Sequence, residues 1–209
     1  VDKQGSYNKQ AHFGDDVISR IVYAVDSPEN LDEMQKAVVE TINNLIDDIL
    51  KRQNLRAQDL ASAVVAANTT MTQLFLGIDP RYIRLEPYIP TVNSTPSVAA
   101  KEVGLNMLPD ALIHSYPSVA SYVGGDIVSG ALATDMANSE EIILFIDIGT
   151  NGEIVLGNRD WLVSCACSAG PCFEGGGILF GMRAMPGAIE RVDINPETLD
   201  VKLKVVGNI

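Results

Sequence analysis

The apolar residues in the first quarter of the chain recur at helical spacing and predict two helices. The first begins after Asp15 or Asp16, since either side chain can accept hydrogen bonds from the free N–H groups of a helix. The second begins at Ser27-Pro28, because proline is tolerated in a first helical turn, and it continues to about Lys51. The apolar positions of these helices are Val17, Ile18, Ile21, Val22 and Val25, and then Leu31, Met34, Val38, Ile42, Leu45, Ile46, Ile49 and Leu50.

Short apolar runs further along the chain predict strands. ASAVVAAN, residues 61–68, is one such run, and it leads through NTTMTQLFLG into a short helix that ends at Gly77. ALIHSYP, residues 111–117, is a second predicted strand. Because strands and helices alternate along the chain, the pattern predicts an α/β fold.

Two segments connect these elements. Residues 78–99 predict connecting structure, since they contain Pro80, Pro87, Pro90 and Pro96. Residues 118–136, SVASYVGGDIVSGALATDM, predict a turn and a helix that lead into another strand. We therefore expect two lobes that meet near residues 117–127.

Residues 142–157, IILFIDIGTNGEIVLG, predict two apolar strands joined by a glycine-bracketed turn. Asn151 and Gly152 favour the left-handed conformations of a tight two-residue hairpin. Asp147 is the exception in the first strand, in which every other residue is apolar. A carboxylate in such a place is costly unless it meets a metal ion, a water network or a hydrogen-bond donor.

The same turn contains donors that suit an anion. We expect Gly149 and Gly152 to leave their backbone N–H groups open to close approach, and Thr150 and Asn151 to add side-chain donors. With Asp147 beside them, these groups suit a phosphate together with its Mg²⁺. The alternative is an ordinary Asn-Gly hairpin with a solvated acid.

Gly124, Gly125 and Asp126 open the predicted helix IVSGALAT, and the acid has two interpretations. It can cap free N–H groups at the start of the helix. A helix of about four turns followed by one strand would also return the chain near its starting level, so that Asp126 and Asp147 face one cleft. One carboxylate would then hold Mg²⁺ through water, and the other would orient or deprotonate the attacking water.

Composition narrows the choice of function. The chain has 209 residues, 46% of them hydrophobic, which is enough for one large domain or two small lobes. Its net charge of -12 argues against a nucleic-acid or anionic membrane surface, because no basic cluster offsets the acids. No signal peptide is recognisable, and the apolar runs are too short to span a bilayer, so we expect a cytoplasmic protein.

The three cysteines lie within eight residues, at Cys165, Cys167 and Cys172. This spacing supplies too few thiolates for a four-ligand zinc or iron–sulfur site, and His12 and His114 are distant in sequence. We therefore predict small buried thiols rather than metal ligands.

The hairpin and the acid-capped helix before it resemble the second phosphate loop and interlobe connection of the ATPase superfamily that contains actin, heat-shock chaperones and sugar kinases. Across nearly the whole chain, the sequence is similar to one family, the reductive activators of corrinoid proteins. The segments that carry this resemblance are FGDDVISRI at 13–21, ANTTMTQLFLGIDP at 67–80, PYIP at 87–90, VGGDIVSGALAT at 123–134, DIGTNGEIVLGN at 147–158 and SAGPCFEGGGILFGMRAMPGAIE at 168–190.

The resemblance implies a two-lobed, actin-like (ribonuclease H-like) ATPase core with ATP and Mg²⁺ as ligands. Complete members of the family couple ATP hydrolysis to electron delivery from an iron–sulfur domain onto an inactive corrinoid, Co(II), in a methyl-transfer partner protein. Such uphill reduction requires ATP-driven conformational change.

The resemblance also implies roles for particular residues. Asp126 and Asp147 are the predicted catalytic carboxylates, and Asp147 is the predicted Mg²⁺ ligand. The predicted nucleotide-binding residues are Gly149, Thr150, Asn151 and Gly152 in the hairpin and Gly170, Glu174, Gly175 and Gly176 in a later loop. A glycine-rich turn before a helix, with Glu174 as a charge in the first helical turn, is the structural alternative for the later loop.

The sequence departs from the superfamily pattern at both ends. No other hairpin of the DIGTT kind precedes residue 13, and no glycine-rich adenosine loop follows Gly207-Asn208. We therefore expect an internal fragment that is inactive alone, with the iron–sulfur cluster in regions outside it. We assign residues 1–122 to part of the N-terminal lobe and 123–209 to the interlobe helix and the first part of the C-terminal lobe.

Two alternatives remain, a small-molecule kinase of the same superfamily and a non-catalytic docking scaffold for a corrinoid protein. The expected partner is the corrinoid protein of a methyltransferase system, and the sequence is compatible with a homodimer.

Overall fold

The computed structural model describes residues 1–149, 151–168, 179–182 and 184–207. The chain divides into two compact units, Val1–Phe145 with Val155–Cys165, and Ile146–Ile154 with Ala166–Ile209. The α-helices are α1 (Val17–Ala24), α2 (Pro28–Gln53), α3 (Thr69–Phe75), α4 (Ala100–Val103) and α5 (Gly125–Ala133). The strands are β1 (Ser62–Val65), β2 (Val98–Ala99), β3 (Leu112–Ser115), β4 (Ile143–Ile148), β5 (Asn151–Asn158), β6 (Trp161–Ser168), β7 (Ile189–Ile194) and β8 (Val201–Val205). The mixture of helices and strands confirms the predicted α/β class.

Local chemistry sets the ends of the first two helices, as the sequence predicted. Asp16 is the N-cap of α1, and its side chain accepts a hydrogen bond from the Ser19 backbone N–H. Ser27 caps α2 in the same way and precedes a proline in the first helical turn. Asn54 ends α2 in the left-handed conformation, with φ of 53°, which asparagine tolerates better than most residues.

The first unit has a three-stranded sheet in the order β1-β3-β2. β1 and β3 are parallel, while β2 pairs antiparallel with β3 over two residues. Apolar side chains from α2, α3 and α4 pack on one face of this sheet around Ile113, which is fully buried. Val64 and Leu112 remain exposed. The sequence pattern did not predict β2, which lies within the predicted connecting segment.

The N-terminal arm runs along α2. Gln10 is fully buried, and its side-chain amide donates to the Met34 carbonyl at 2.7 Å. The Lys9 N–H donates to Thr41 Oγ1, and Arg52 pairs with Asp2 at 3.1 Å. These contacts fix a segment that contains one short 3₁₀ turn and no longer element.

α5 is shorter than predicted. It has nine residues, or about two and a half turns, where the sequence suggested about four. Ile127 of α5 belongs to a second apolar cluster with Val123, Met136 and Val155. Ile143 and Phe145 pack against this cluster. Gly130 makes this packing close, since a β-carbon there would come within 2.3 Å of the Phe145 ring.

Strands β4, β5 and β6 form a sheet in that order. The connection from β4 to β5 contains only Gly149 and position 150, so the two strands must run antiparallel. The predicted hairpin is therefore present, but its predicted turn is wrong. Asn151 and Gly152 open β5 instead of forming the turn, because strand pairing continues two residues closer to the turn than the Asn-Gly signal suggested.

In the second unit, β7 and β8 form an antiparallel pair, with a register shift between Ile189 and Arg191. Every side chain of β7 is exposed, including Val192 and Ile194. The pair is joined across the strands by an ion pair between Lys204 and Glu190 at 2.9 Å. Backbone pairing, rather than apolar burial, therefore holds these strands within the described residues.

Candidate functional site

Asp147 lies near the end of β4, one residue before the last position of the strand. Exposure alternates along β4, and Asp147 falls on its less exposed side together with Ile143 and Phe145. Its side chain forms no hydrogen bond or ion pair within the described residues. The role of Asp147 as a ligand of hydrated Mg²⁺ therefore stays a prediction, beside the alternative of a solvated acid.

The turn after Asp147 is arranged differently from the prediction. The Gly149 N–H donates to the Asn151 carbonyl at 2.9 Å, so this donor is engaged within the turn. The expectation that it points freely toward an anion is therefore wrong for this conformation. Among the described residues, a β-carbon on Gly149 would have no neighbour closer than 3.7 Å.

β6 contacts the start of β5 through one cysteine. The Cys167 thiol donates to the Gly152 carbonyl at 3.2 Å, and a β-carbon on Gly152 would come equally close to that sulfur. Cys165 and Cys167 are both free and exposed, so the prediction of buried thiols is wrong for them. β6 is an outer strand of its sheet and has exposed side chains wherever they are described. Cys172 lies outside the described residues.

Asp126 lies in the first turn of α5, whose N-cap is Gly124. Asp126 Oδ1 accepts the Ile127 backbone N–H at 2.9 Å, and the Asp126 N–H donates to the Ala67 carbonyl at 3.2 Å. Asp126 thus meets one N–H group of the first turn, but it is not the N-cap, and the helix start has no side-chain cap. Whether the acid also serves catalysis stays a prediction.

The Gly124-Gly125 pair allows α5 to approach two neighbouring segments. A β-carbon on Gly125 would come within 2.8 Å of Tyr116, and one on Gly124 would meet the backbone at Asn68. The start of α5 therefore lies at the carboxyl ends of the parallel strands β1 and β3. A glycine pair before a helix was the signal for this close approach, and the sequence interpretation gave these glycines no packing role.

The remaining predicted site residues divide as follows. Asp126 belongs to the first compact unit, and Asp147, Gly149, Asn151 and Gly152 belong to the second. Thr150, Gly170, Glu174, Gly175 and Gly176 lie outside the described residues.

Among residues that are described, no three His, Cys, Asp or Glu side chains come together as a metal site. Asp147 would offer a single carboxylate, which suits a cation that keeps most of its water ligands.

A small crevice in the first unit is lined by none of the predicted site residues. Thr72, Gln73, Tyr116 and Ser118 are among its walls. Gln73 is buried, and its Oε1 has no hydrogen-bond partner within the described part of the chain. The crevice suits one ordered water, which would donate a hydrogen bond to Gln73 Oε1.

Comparison with known families places the chain in a class and then in a family. Residues 141–209 match the family model described as the C-terminal domain of RACo, the ASKHA domain, which is the actin-like class. Residues 1–139 match the model described as the RACo middle region. The chain therefore belongs to the RACo family, and the resemblance to reductive activators of corrinoid proteins is confirmed.

Individual relatives agree with this assignment. The chain is 34% identical over 192 residues to the corrinoid activation enzyme RamQ of Eubacterium limosum, covering 92% of this chain and 32% of that protein. It is 36% identical over 99 residues to the [Co(II) methylated amine-specific corrinoid protein] reductase of Methanosarcina barkeri, covering 47% of this chain and 18% of that protein.

A solved structure, a reductive activator for corrinoid, iron-sulfur protein, matches with 60% identity and a TM-score of 0.87. The match covers 99% of this chain and 33% of the solved one. The chain thus spans about a third of the length of this structure and of RamQ. None of the helices described here is long and apolar enough to cross a membrane.

Proposed function

We propose that this chain is part of a protein that uses ATP to reactivate the corrinoid cofactor of a partner protein, and that residues 147–152 bind the nucleotide phosphates. The observation that carries the proposal is Asp147. Its carboxylate lies one residue before the end of an apolar strand, has no partner among the described residues, and belongs to the segment that matches the ASKHA domain.

The relatives support the corrinoid part of the proposal. One is named a corrinoid activation enzyme, and another is named a reductase of a Co(II) corrinoid protein. Conversion of Co(II) to Co(I) adds one electron, and ATP would make an uphill transfer possible by favouring the reducible conformation of the partner. We propose a methyltransferase corrinoid protein as that partner and the cytoplasm as the location.

The groups of the proposed site have separate roles. Mg²⁺ bound with ATP supplies positive charge beside the phosphate oxygens. Asp147 would hold the water ligands of that cation. Gly149 would either keep its hydrogen bond to Asn151, which shapes the turn, or exchange it for a phosphate oxygen. Asp126 stays the proposed second carboxylate because of its place in the first turn of α5, although it lies in the segment that matches the middle region.

The family matches bear on whether the hairpin corresponds to the first or to the second phosphate loop of the ATPase superfamily. β4 and β5 form the first hairpin of the segment that matches the ASKHA domain, and the preceding residues match the middle region. This order favours a first rather than a second phosphate loop. The domain boundary between residues 122 and 123, the two-lobed core and its incompleteness at both ends stay predictions.

An electron carrier is also part of the proposal. Two cysteines are free among the described residues, and no three His, Cys, Asp or Glu side chains there come together as a metal site. We propose that the iron–sulfur cluster implied by the family belongs to sequence outside residues 1–209. In that case the present residues supply nucleotide binding and partner recognition rather than electron transfer.

The test is ATP hydrolysis by the full-length protein and its Asp147→Asn variant, with and without the corrinoid partner. The variant keeps the shape of the side chain and removes its charge, so turnover should fall at least about a hundredfold, equivalent to about 2.7 kcal/mol of activation free energy. Asp193→Asn is the matched control, because Asp193 is an exposed acid paired with Arg191 on β7.

Other outcomes assign other functions. Phosphate transfer to a small-molecule hydroxyl, without stimulation by the corrinoid protein, would identify a kinase. Partner binding that is indifferent to nucleotide, with no hydrolysis, would identify a docking scaffold. Unchanged turnover in a folded Asp147→Asn protein would make the hairpin an ordinary turn with a solvated acid.

A further inference from the structure

The small crevice beside α3 contains a polar atom that the described part of the chain leaves unsatisfied. Gln73 is 2% exposed, and its Oε1 is shielded from water without a hydrogen-bond partner among the described residues. Its side chain lines the crevice together with those of Thr69, Thr72 and Ser118. Because an unsatisfied buried polar atom is costly, we expect a bound molecule or ion to meet it there.

The orientation of the Gln73 amide is fixed by its other end. Gln73 Nε2 donates a hydrogen bond to the Val92 carbonyl at 3.3 Å. Exchanging the two amide atoms would place Oε1 against that carbonyl, and two acceptors repel each other. The unsatisfied atom is therefore an acceptor, which requires a hydrogen-bond donor or a positive charge.

The two threonines of α3 that line the crevice offer acceptors as well. Thr69 Oγ1 donates to the Ala120 carbonyl at 2.7 Å, and Thr72 Oγ1 donates to the Ala67 carbonyl at 3.3 Å. A hydroxyl has only one proton, so the lone pairs of these oxygens are what they can still offer a ligand. Thr69, Thr72 and Gln73 are spaced three and four residues apart, which places them on one face of the helix.

The charge and size of the crevice narrow the choice of ligand. None of the described residues that line it carries a charge. Divalent cations are bound in proteins through carboxylates, whereas K⁺ exchanges its hydration shell for neutral oxygens. The net charge of -12 draws cations rather than anions to the protein. A space that suits one ordered water also suits K⁺ or ammonium, since both ions are close to water in size.

We propose that this crevice binds one monovalent cation of the size of K⁺ or ammonium, with Gln73 Oε1, Thr69 Oγ1 and Thr72 Oγ1 among its ligands. The position in the fold supports a binding site. The helix that supplies these residues follows β1, and Tyr116 and Ser118, which also line the crevice, follow β3. The crevice therefore lies beyond the carboxyl ends of two parallel strands, where open α/β sheets commonly bind ligands.

The proposed cation site is connected to the start of α5. The Ala67 carbonyl accepts hydrogen bonds from Thr72 Oγ1 and from the Asp126 N–H, the latter at 3.2 Å. A cation bound to Thr72 Oγ1 would polarise this hydroxyl and strengthen its bond to Ala67. We therefore expect the bound ion to stabilise the contacts among α3, α5 and the ends of the two strands.

The experiment is thermal melting of the full-length protein in the chloride salts of K⁺, ammonium, Na⁺ and Li⁺ at equal ionic strength. We expect K⁺ or ammonium to raise the melting temperature by about 2–4 °C relative to Li⁺, because an ion that binds only the folded state stabilises it. Gln73→Leu and Thr72→Val should each abolish this difference between salts. The difference is the readout, so a general loss of stability in a variant does not imitate the result.

Gln35→Leu is the matched control. The side-chain amide of Gln35 also donates to a backbone carbonyl, that of Phe75, at 3.1 Å, but Gln35 does not line the crevice. This variant should melt at a lower temperature in every salt and keep the full difference between K⁺ or ammonium and Li⁺.

Crystals of the full-length protein soaked in rubidium chloride locate the ion directly, since Rb⁺ replaces K⁺ and scatters anomalously. Stabilisation by K⁺ together with an anomalous peak beside Gln73 Oε1 would identify an alkali-metal site. Stabilisation by ammonium alone, lost in Gln73→Leu, would identify a cation that donates hydrogen bonds. Equal melting temperatures in all four salts, or an undiminished salt difference in both crevice variants, would overturn the proposal and leave the crevice to one water molecule.

Discussion

Gly124 lies directly against Asn68. A β-carbon on Gly124 would come within 2.4 Å of the Asn68 Cα and within 2.6 Å of the Thr69 nitrogen. Both are backbone atoms at the start of α3, so they cannot rotate away as a flexible side chain could. The first glycine of the VGGD segment is therefore required by packing between two helix starts, independently of any role for Asp126.

The first prediction follows from that contact. Gly124→Ala should destabilise the first unit by about 1–3 kcal/mol, because overpacking forces a backbone shift. The φ angle of -94° is allowed to alanine, so the effect would be steric rather than conformational. Urea unfolding followed by circular dichroism measures it, with Gly5→Ala as control, since a β-carbon there meets nothing within 4 Å. Equal midpoints for the two variants would contradict the close approach.

The second prediction separates the two roles of Asp126. Asp126→Asn keeps an oxygen that can accept the Ile127 N–H, whereas Asp126→Ala removes it. If Asp126 also serves the reaction, the asparagine variant of the full-length protein should melt normally and lose about a hundredfold in ATP hydrolysis. Alanine should lower both the melting temperature and turnover. Normal turnover in the asparagine variant would leave Asp126 with its structural role alone.

The third prediction concerns the pH dependence of α1. The hydrogen bond from the Ser19 backbone N–H, more than any other contact, holds the pKa of Asp16 below its ordinary value. Because the pKa is lower in the folded chain than in the unfolded chain, the stabilisation is complete above about pH 4 and is lost as the pH falls through the folded pKa.

Asp16→Ala should therefore reduce the free energy of unfolding by about 1 kcal/mol at pH 7 and by progressively less below about pH 4. Asp16→Asn is the control, since it keeps a capping oxygen that does not titrate. Denaturation curves between pH 2 and pH 7 provide the measurement. A constant difference between the natural chain and the alanine variant at every pH would show that Asp16 does not act as a charged cap.

The fourth prediction concerns the two units. Amide hydrogens of α2 and β3 should exchange at least about a hundredfold more slowly than those of β7 and β8 in the 209-residue chain. The reason is burial, because α2 and β3 share an apolar core, whereas the side chains of β7 are all exposed. Hydrogen exchange followed by mass spectrometry resolves these segments. Similar protection in both units would show that β7 and β8 have stabilising contacts beyond their mutual pairing.

The sequence predicted elements whose signals are local. The Ser27-Pro28 start of α2 and the Asp16 cap of α1 were found because each depends on a few adjacent residues. β2 was missed because its two residues form a strand only through pairing with β3. The Asn151-Gly152 turn was misplaced for a related reason: the preference of two residues was outweighed by continued strand pairing.

The sequence itself determined the α/β class, the hairpin of β4 and β5, and the isolation of one acid in an apolar strand. Adjacent residues and their spacing specify each of these features. Only the tertiary structure decided that Asp147 has no partner among the described residues, that Cys165 and Cys167 are exposed, and that Gly124 meets Asn68. Each of these facts depends on segments far apart in the chain coming together or failing to do so, and the spacing of residues along a sequence does not specify which distant segments meet.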